Sequence, residues 1–277
     1  MNKENFSKNF SLSNYTTIKV GGVAEYFAEP RNIYEFSNLI KWSNLNNQRC
    51  QIIGAGSNLL INNIFIKGLV ICTKKMNSLT IEPHSGIVAA EAGVMLPTLS
   101  NSLAKNGLQG GEWAVGIPGT LGGAIYMNAG TGHLSLANNL ISVKVINNKT
   151  LENFEIEKKD INFEYRFSPF QSNELSIISA KLHFEPNGNH EKIIQKTKNN
   201  LKLKTAAQPY NLPSFGSVFQ NPANNYAAKL IDDMGLKGFK IGGAEVSKMH
   251  ANFIINTSSA SSKDIFELIT VIQQKVL

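Results

Sequence analysis

The sequence predicts an α+β protein in two parts, a larger N-terminal one and a smaller C-terminal one. Two observations carry this. Through about residue 187, short β-branched runs bounded by turn residues outnumber segments with helical spacing. A lysine-rich, helix-like segment and the proline-bearing "QPYNLPSFG" then mark a boundary near 188–210, beyond which helix and strand patterns mix over a short tail.

The runs "EYFAEP", "QRCQIIGAGSN", "GLVICT", "LTIEP" and "IVAAEAG" are of strand length. Between the first two, residues 32–47 place Ile33, Phe36, Leu39 and Ile40 on one helical face, with Asn32 as the cap. A second helix is expected over 96–106, stopping near Asn106 and Gly107. Strands return over 140–186 in "LISVKVINN", "ENFEIE" and "SIISAKLHFEP", and a helix follows over 190–206. The tail reads as a helix in "YAAKLIDDMG", a glycine-bounded "LKGFKIGGAEVS", a strand "ANFIIN" and a capped helix "SSKDIFELITVIQQKVL". No internal repeat is evident.

The chain has 277 residues, 42% hydrophobic and 17% charged, as in a soluble globular protein with length for a sizeable core. No apolar run reaches the roughly 18 residues of a membrane span, and no apolar block follows the polar N-terminus, so a cytoplasmic protein without a signal peptide is expected. Cys50 and Cys72 lack metal-ligand spacing and read as reduced, structural thiols; no metal is expected. The net charge of +7 suits an anionic ligand, yet the 27 Lys and Arg are spread out. The densest basic stretch, "KNNLKLK", reads as a solvated helix face, and clustered basic residues interleaved with aromatics, as nucleic-acid binding requires, are not found.

Two glycine-rich stretches stand out. "GAGSNLL" (54–60) follows the apolar "QII", and "GIPGTLGGAIYMNAG" (116–130) follows "EWAV"; both are expected where a strand leaves a sheet. Bare backbone there forms a concavity suited to phosphate oxygens, and two such loops point to a pyrophosphate. Neither matches a dinucleotide-fold fingerprint or a P-loop, and tight turns alone explain most lone glycine loops.

"NYTTIKVGG", "IIGAGSNLL", "GIPGTLGGAIYMNAG", "FEYRFSPF", "PSFGSVFQNP" and "AAKLIDDMGLKGFKIGGAEVSKMHANFIIN" occur here in an order and spacing that resembles the UDP-N-acetylenolpyruvoylglucosamine reductase (MurB) family from about residue 14 to the last helix. The resemblance implies an FAD-binding domain of the vanillyl-alcohol-oxidase (PCMH) type over 1–188 and a small α+β substrate-binding domain over 205–277. It implies noncovalent FAD, consistent with the lack of Cys or His in either glycine loop, and NADPH as reductant. The flavin positions carried over are Gly54, Gly56, Ser57, Asn58 and Leu59, then Gly116, Pro118, Gly119, Thr120, Gly122, Gly123 and Asn128. Hydride would pass from flavin N5 to C3 of UDP-N-acetylglucosamine enolpyruvate and a proton to C2, giving UDP-N-acetylmuramate for peptidoglycan synthesis.

Arg166 read physically is a packing or surface cation over Tyr165 and Phe167. The resemblance instead sets it against the enolpyruvyl carboxylate, where a forked, permanently charged donor stabilises growing negative charge. Ser217, by residue type a turn former, is implied to be the acid that protonates C2, with an enolate-like carbanion as a sufficiently strong base. Tyr165, Lys204, Asn221 and His250 are implied substrate contacts, and Gln220 stands where a lysine is common. The partner is a small UDP-sugar, with no nucleic acid or membrane, and a monomer is expected.

Two departures bear on activity. The family continues past its last helix into a Pro-Glu-Val-Arg-like strand whose glutamate is a third catalytic residue. This sequence ends at Leu277, so on this reading the second domain is truncated, and Glu245 is a poor stand-in. No long insertion follows Arg166, which resembles the family form lacking a tyrosine loop. A catalytically impaired flavin-binding homologue and a different FAD oxidoreductase of the same fold therefore stand as alternatives.

Overall fold

The computed structural model describes residues 6–61 and 64–276. The chain divides into two compact units. The first comprises Met1–Lys8, Tyr26–Ala55 and Lys67–Lys202; the second comprises Asn9–Glu25, Gly56–Ile66 and Leu203–Leu277. The second unit thus takes in two N-terminal segments besides the C-terminal stretch.

In the first unit, helix Ile33–Leu45 begins where expected. The Asn32 side chain accepts from the Glu35 N–H at 2.9 Å, and the Glu35 carboxylate accepts from the Arg31 N–H at 2.8 Å. These bonds satisfy donors that a helix start leaves unpaired. Phe36 and Ile40 on its inner face pack with Leu69, Ile71, Met76, Ile146 and Ile178. Strands Cys50–Ile53 and Phe65–Cys72 pair in parallel, from Cys50 opposite Leu69 to Ile53 opposite Cys72.

The larger core lies on a five-stranded antiparallel sheet in the order Asn153–Glu157, Leu140–Asn147, Leu175–His183, Ile87–Glu91, Leu79–Glu82. Helix Leu96–Lys105 contributes Leu96, Leu99 and Leu103 to that core, and helix Leu121–Tyr126 contributes Leu121, Ala124 and Ile125. The second of these helices was not expected, because two of its six residues are glycine. It follows the 3-10 turn Glu112–Gly116, which corrects the expectation that a strand runs into the second glycine stretch.

The second unit is built on a sheet in the order Ser214–Ser217, Phe253–Asn256, Ala244–Val246, Lys240–Ile241. Ile265, Leu268 and Ile272 of helix Ser262–Val276 pack with Ile231, Val246, Ile254 and the N-terminal Ile18 and Val20. The Asn256 side-chain amide donates to the Ile18 carbonyl at 3.1 Å, tying the 9–25 segment to this sheet. Strand Ser214–Ser217 is a correction to the sequence reading, which took "FGSVFQNP" as a loop. It pairs with Phe253–Asn256 across a bulge that includes Gly216, at φ +80°. Glu245 lies opposite Lys240 in register and is ion-paired to it at 3.0 Å.

Candidate active site

Thr120 organises the second glycine stretch. It is buried, caps helix Leu121–Tyr126, and accepts from the Gly123 N–H at 3.4 Å. The Leu121 and Gly122 N–H groups donate to the Val94 and Ala92 carbonyls, both at 2.8 Å. These three donors are therefore engaged within the protein, so an anion at this helix start would need other donors.

Several of the glycines have intramolecular reasons, independent of any ligand. A Cβ on Gly54 would collide with Thr120 Oγ1, one on Gly56 with the Tyr15 carbonyl oxygen, and one on Gly122 would lie 2.9 Å from Ala92 Cβ. Gly56 is in addition at φ +65°. Gly123 differs: it is exposed, and a Cβ there would meet nothing nearer than Thr120 Oγ1 at 3.5 Å. Its bare face, with exposed Pro118 and half-buried Gly119, is the part of the stretch open to a ligand. Gly116 is buried.

Beyond the helix, Asn128 adopts φ +42°, which an asparagine tolerates better than most residues. Its side-chain N–H donates to the Glu164 carbonyl at 2.8 Å, while its buried Oδ1 has no hydrogen-bond partner among the described residues. A buried acceptor without a donor is costly unless a ligand or water supplies one.

Glu164 and Phe167 exchange two backbone hydrogen bonds of 3.2 Å, closing a two-residue turn with Tyr165 and Arg166 at its tip. Arg166 is left-handed at φ +56°, an unusual state for a residue with a Cβ. Its Nη1 donates to the Asn128 carbonyl at 3.3 Å and its Nη2 to the Gly130 carbonyl at 2.9 Å. The guanidinium carbon lies 5.1 Å from the centre of the exposed Tyr165 ring. Among the described residues no carboxylate pairs with this half-buried cation. Arg166, Tyr165 and Asn128 line an open pocket of about 230 Å³ together with Gly132, His133, Leu134 and Ser135. The first unit thus brings Gly54 to Thr120, and Asn128 to Tyr165 and Arg166.

In the second unit, Gly56 lies against Tyr15 and Thr16, and its carbonyl accepts from the Thr17 N–H at 3.2 Å. Half-buried Ser57 and Leu59 and exposed Asn58 follow it. A Cβ on Gly216 would lie 3.8 Å from the Ser57 carbonyl oxygen, which puts the two loops of this unit near each other. Ser217 is exposed, and its hydroxyl has no hydrogen-bond partner among the described residues.

The backbone after Ser217 is clamped by Asn252. Its carbonyl accepts from Val218 N–H, its side-chain oxygen from Phe219 N–H, and its side-chain amide donates to the Phe219 carbonyl, at 2.9, 2.9 and 2.8 Å. The Asn252 N–H donates to His250 Nδ1 at 3.3 Å, which leaves the ring proton of neutral imidazole on Nε2. Burial holds the His250 pKa below its usual value, so the ring is neutral at pH 7. Asn221 has a structural use, its Oδ1 accepting from the Ala227 N–H at 3.1 Å where helix Ala227–Asp233 starts. Lys204 lies half-buried near the end of helix His190–Ala207.

Sequence reasoning missed Asn252, Ser168 and Gln171. Asn252 is a buried asparagine at the head of the apolar "FII", a signal in principle visible. Ser168 and Gln171 stand within and beside "YRFSPF" but gave none, because the Tyr126 carbonyl that both bind is distant in sequence.

One comparison decides the family. The chain is 72% identical over 272 residues to a UDP-N-acetylenolpyruvoylglucosamine reductase of Prochlorococcus marinus subsp. pastoris, covering 98% of this chain and 92% of that relative. The chain belongs to the UDP-N-acetylenolpyruvoylglucosamine reductase family. Another Prochlorococcus marinus family member is 47% identical over 276 residues, covering 100% of this chain and 94% of its own. Residues 208–277 match the family's C-terminal domain, and residues 24–150 match an FAD binding domain. The crystal structure of the family's enzyme from Thermus caldophilus superposes with a TM-score of 0.83 at 30% identity, over 95% of this chain and 93% of that one. Among the described residues no helix is long and apolar enough to cross a membrane.

Proposed function

We propose that the chain is an FAD-dependent, NADPH-using reductase that converts UDP-N-acetylglucosamine enolpyruvate to UDP-N-acetylmuramate in peptidoglycan synthesis. The observation that carries this reading is Arg166, a half-buried cation held on carbonyl oxygens in a left-handed turn, with no carboxylate partner among the described residues. Such a guanidinium is set for an anionic ligand, and the 72% identical relative is named for the substrate whose carboxylate would meet it.

The residues of the first unit fit a flavin. Gly123 offers open backbone, and the orphaned Asn128 Oδ1 awaits a donor such as an N–H of the ring. FAD when bound supplies the hydride acquired from NADPH. Gly54, Gly116, Pro118, Gly119, Thr120, Gly122, Gly123 and Asn128, with Gly56, Ser57, Asn58 and Leu59, would hold it, Gly54 and Gly122 through packing of the loops. Arg166 stabilises the negative charge that grows on the substrate carboxylate as C3 is reduced. Ser217 Oγ gives its proton to C2; its unengaged hydroxyl is free to do so. Tyr165, Lys204, Asn221 and His250 bind the sugar nucleotide, His250 as a donor through Nε2. The FAD-binding domain is assigned to 1–188 and the substrate-binding domain to 205–277. The working form is a cytoplasmic monomer without nucleic-acid or membrane partners.

Substrate-dependent NADPH oxidation tests the two roles. Arg166→Ala and Ser217→Ala should each lower the rate by about 100- to 1,000-fold, the usual cost of one group that stabilises transition-state charge or supplies a proton, with FAD content unchanged. Full turnover by either variant removes that residue from the mechanism.

A further inference from the structure

The turn that carries Arg166 is closed by one pair of backbone hydrogen bonds, between Glu164 and Phe167, yet it keeps a residue with a Cβ in the left-handed region. Something beyond the turn must hold it. Gln171 Nε2 donates to the Arg166 carbonyl at 3.1 Å and to the Tyr126 carbonyl at 3.0 Å. Tyr126 is the last residue of helix Leu121–Tyr126, whose final carbonyls have no partner inside the helix. Both hydrogens of one amide therefore bridge the arginine turn and the helix that grows out of the second glycine stretch. The assignment of nitrogen and oxygen follows from the partners, since the amide oxygen would face two acceptors.

We propose that Gln171 is a positioning residue for the reductase, one that aims Arg166 by fixing its backbone, and this rests on the reading of Arg166 as the carboxylate-facing cation. The guanidinium is already held from its far end by the Asn128 and Gly130 carbonyls. With the carbonyl end held by Gln171, the side chain is anchored at both ends and points one way before substrate arrives. A second tie keeps the segment folded without Gln171: fully buried Ser168 donates from Oγ to the same Tyr126 carbonyl at 2.8 Å. Loss of the amide donors should thus loosen the aim of Arg166 without unfolding the turn.

The test compares Gln171→Met, similar in length but without donors, with Gln171→Lys, which restores them. The measurements are kcat, KM, affinity for UDP-N-acetylmuramate by calorimetry, and melting temperature, all on the FAD-loaded enzyme. For Gln171→Met, kcat/KM should fall about tenfold to 100-fold, as misplacement by an ångström does, and product binding should weaken. Its melting temperature should fall by no more than about 8 °C, the shift that two lost hydrogen bonds make in a chain of this size. Gln171→Lys should recover most of kcat/KM and of product affinity. Parental kcat/KM and product binding in Gln171→Met overturn the proposal, and so does a loss that lysine does not repair or that follows a large fall in melting temperature. Arg166→Ala separates the two claims: if it is inactive while Gln171→Met is normal, only the positioning role fails; if it is fully active, the reading of Arg166 fails first.

Discussion

A guanidinium tied to two backbone carbonyls keeps its charge unneutralised, since a carbonyl orients a cation without cancelling it. Arg166 is in this state, and Asn128 contributes both its own carbonyl and a buried side-chain oxygen that lacks a donor. None of this was legible from residue type: "YRF" alone reads as a cation over aromatics, and only the resemblance to the family singled out Arg166. His250 shows the same limit, because the burial that lowers its pKa is not revealed by the sequence. The imidazole pKa is lowered in the folded chain, so the unfolded chain binds the proton first. His250 thus leaves stability intact above the unfolded value of about 6.5 and erodes it as pH falls from there toward the lower folded value. Melting curves at pH 7.5 and 5.5 should show a smaller acid-induced loss for His250→Gln than for the parent; equal losses would mean that the ring protonates alike in both states. Cys50 and Cys72, whose thiols burial pushes up to about 11, agree with their reading as inert packing residues.

Elements were legible where periodicity was long. Helices Ile33–Leu45, Leu96–Lys105, His190–Ala207 and Ser262–Val276 lie close to the spans expected from spacing and caps. Short elements around the glycines were not, because propensity opposes them: Gly122 and Gly123 sit inside helix Leu121–Tyr126, and Pro213 and Gly216 disguise strand Ser214–Ser217. Tertiary contacts override propensity in both places. Helix Leu121–Tyr126 is held by the Val94 and Ala92 carbonyls and capped by Thr120, the same side chain that leaves no room for a Cβ on Gly54. This coupling gives a double-mutant test. Thr120→Ala should cost about 1 kcal/mol through the lost cap, and Gly54→Ala should cost about 1–3 kcal/mol through overpacking. The double variant should be more stable than the sum of the two losses predicts, by ~0.5 kcal/mol or more in denaturant unfolding. Strict additivity would show that Thr120 is not what excludes a side chain at Gly54.

At the scale of the whole molecule the α+β class was readable, because strands and helices alternate without the regular βαβ period of a parallel fold. What the sequence concealed is that segments 9–25 and 56–66 belong to the second unit, where Ile18 and Val20 join a core made mostly by residues after 203. Contacts this distant in sequence leave no local pattern. The reductase reading makes a claim on the entire chain. The most direct test is an anaerobic two-step experiment on the purified 277-residue protein. The flavin absorbance is followed while NADPH is added in equimolar amount, and then UDP-N-acetylglucosamine enolpyruvate. The account predicts bleaching by NADPH, recovery of the oxidised spectrum on addition of the sugar nucleotide, and one UDP-N-acetylmuramate formed per flavin. A protein that bleaches but does not recover, or that carries no flavin, would contradict it.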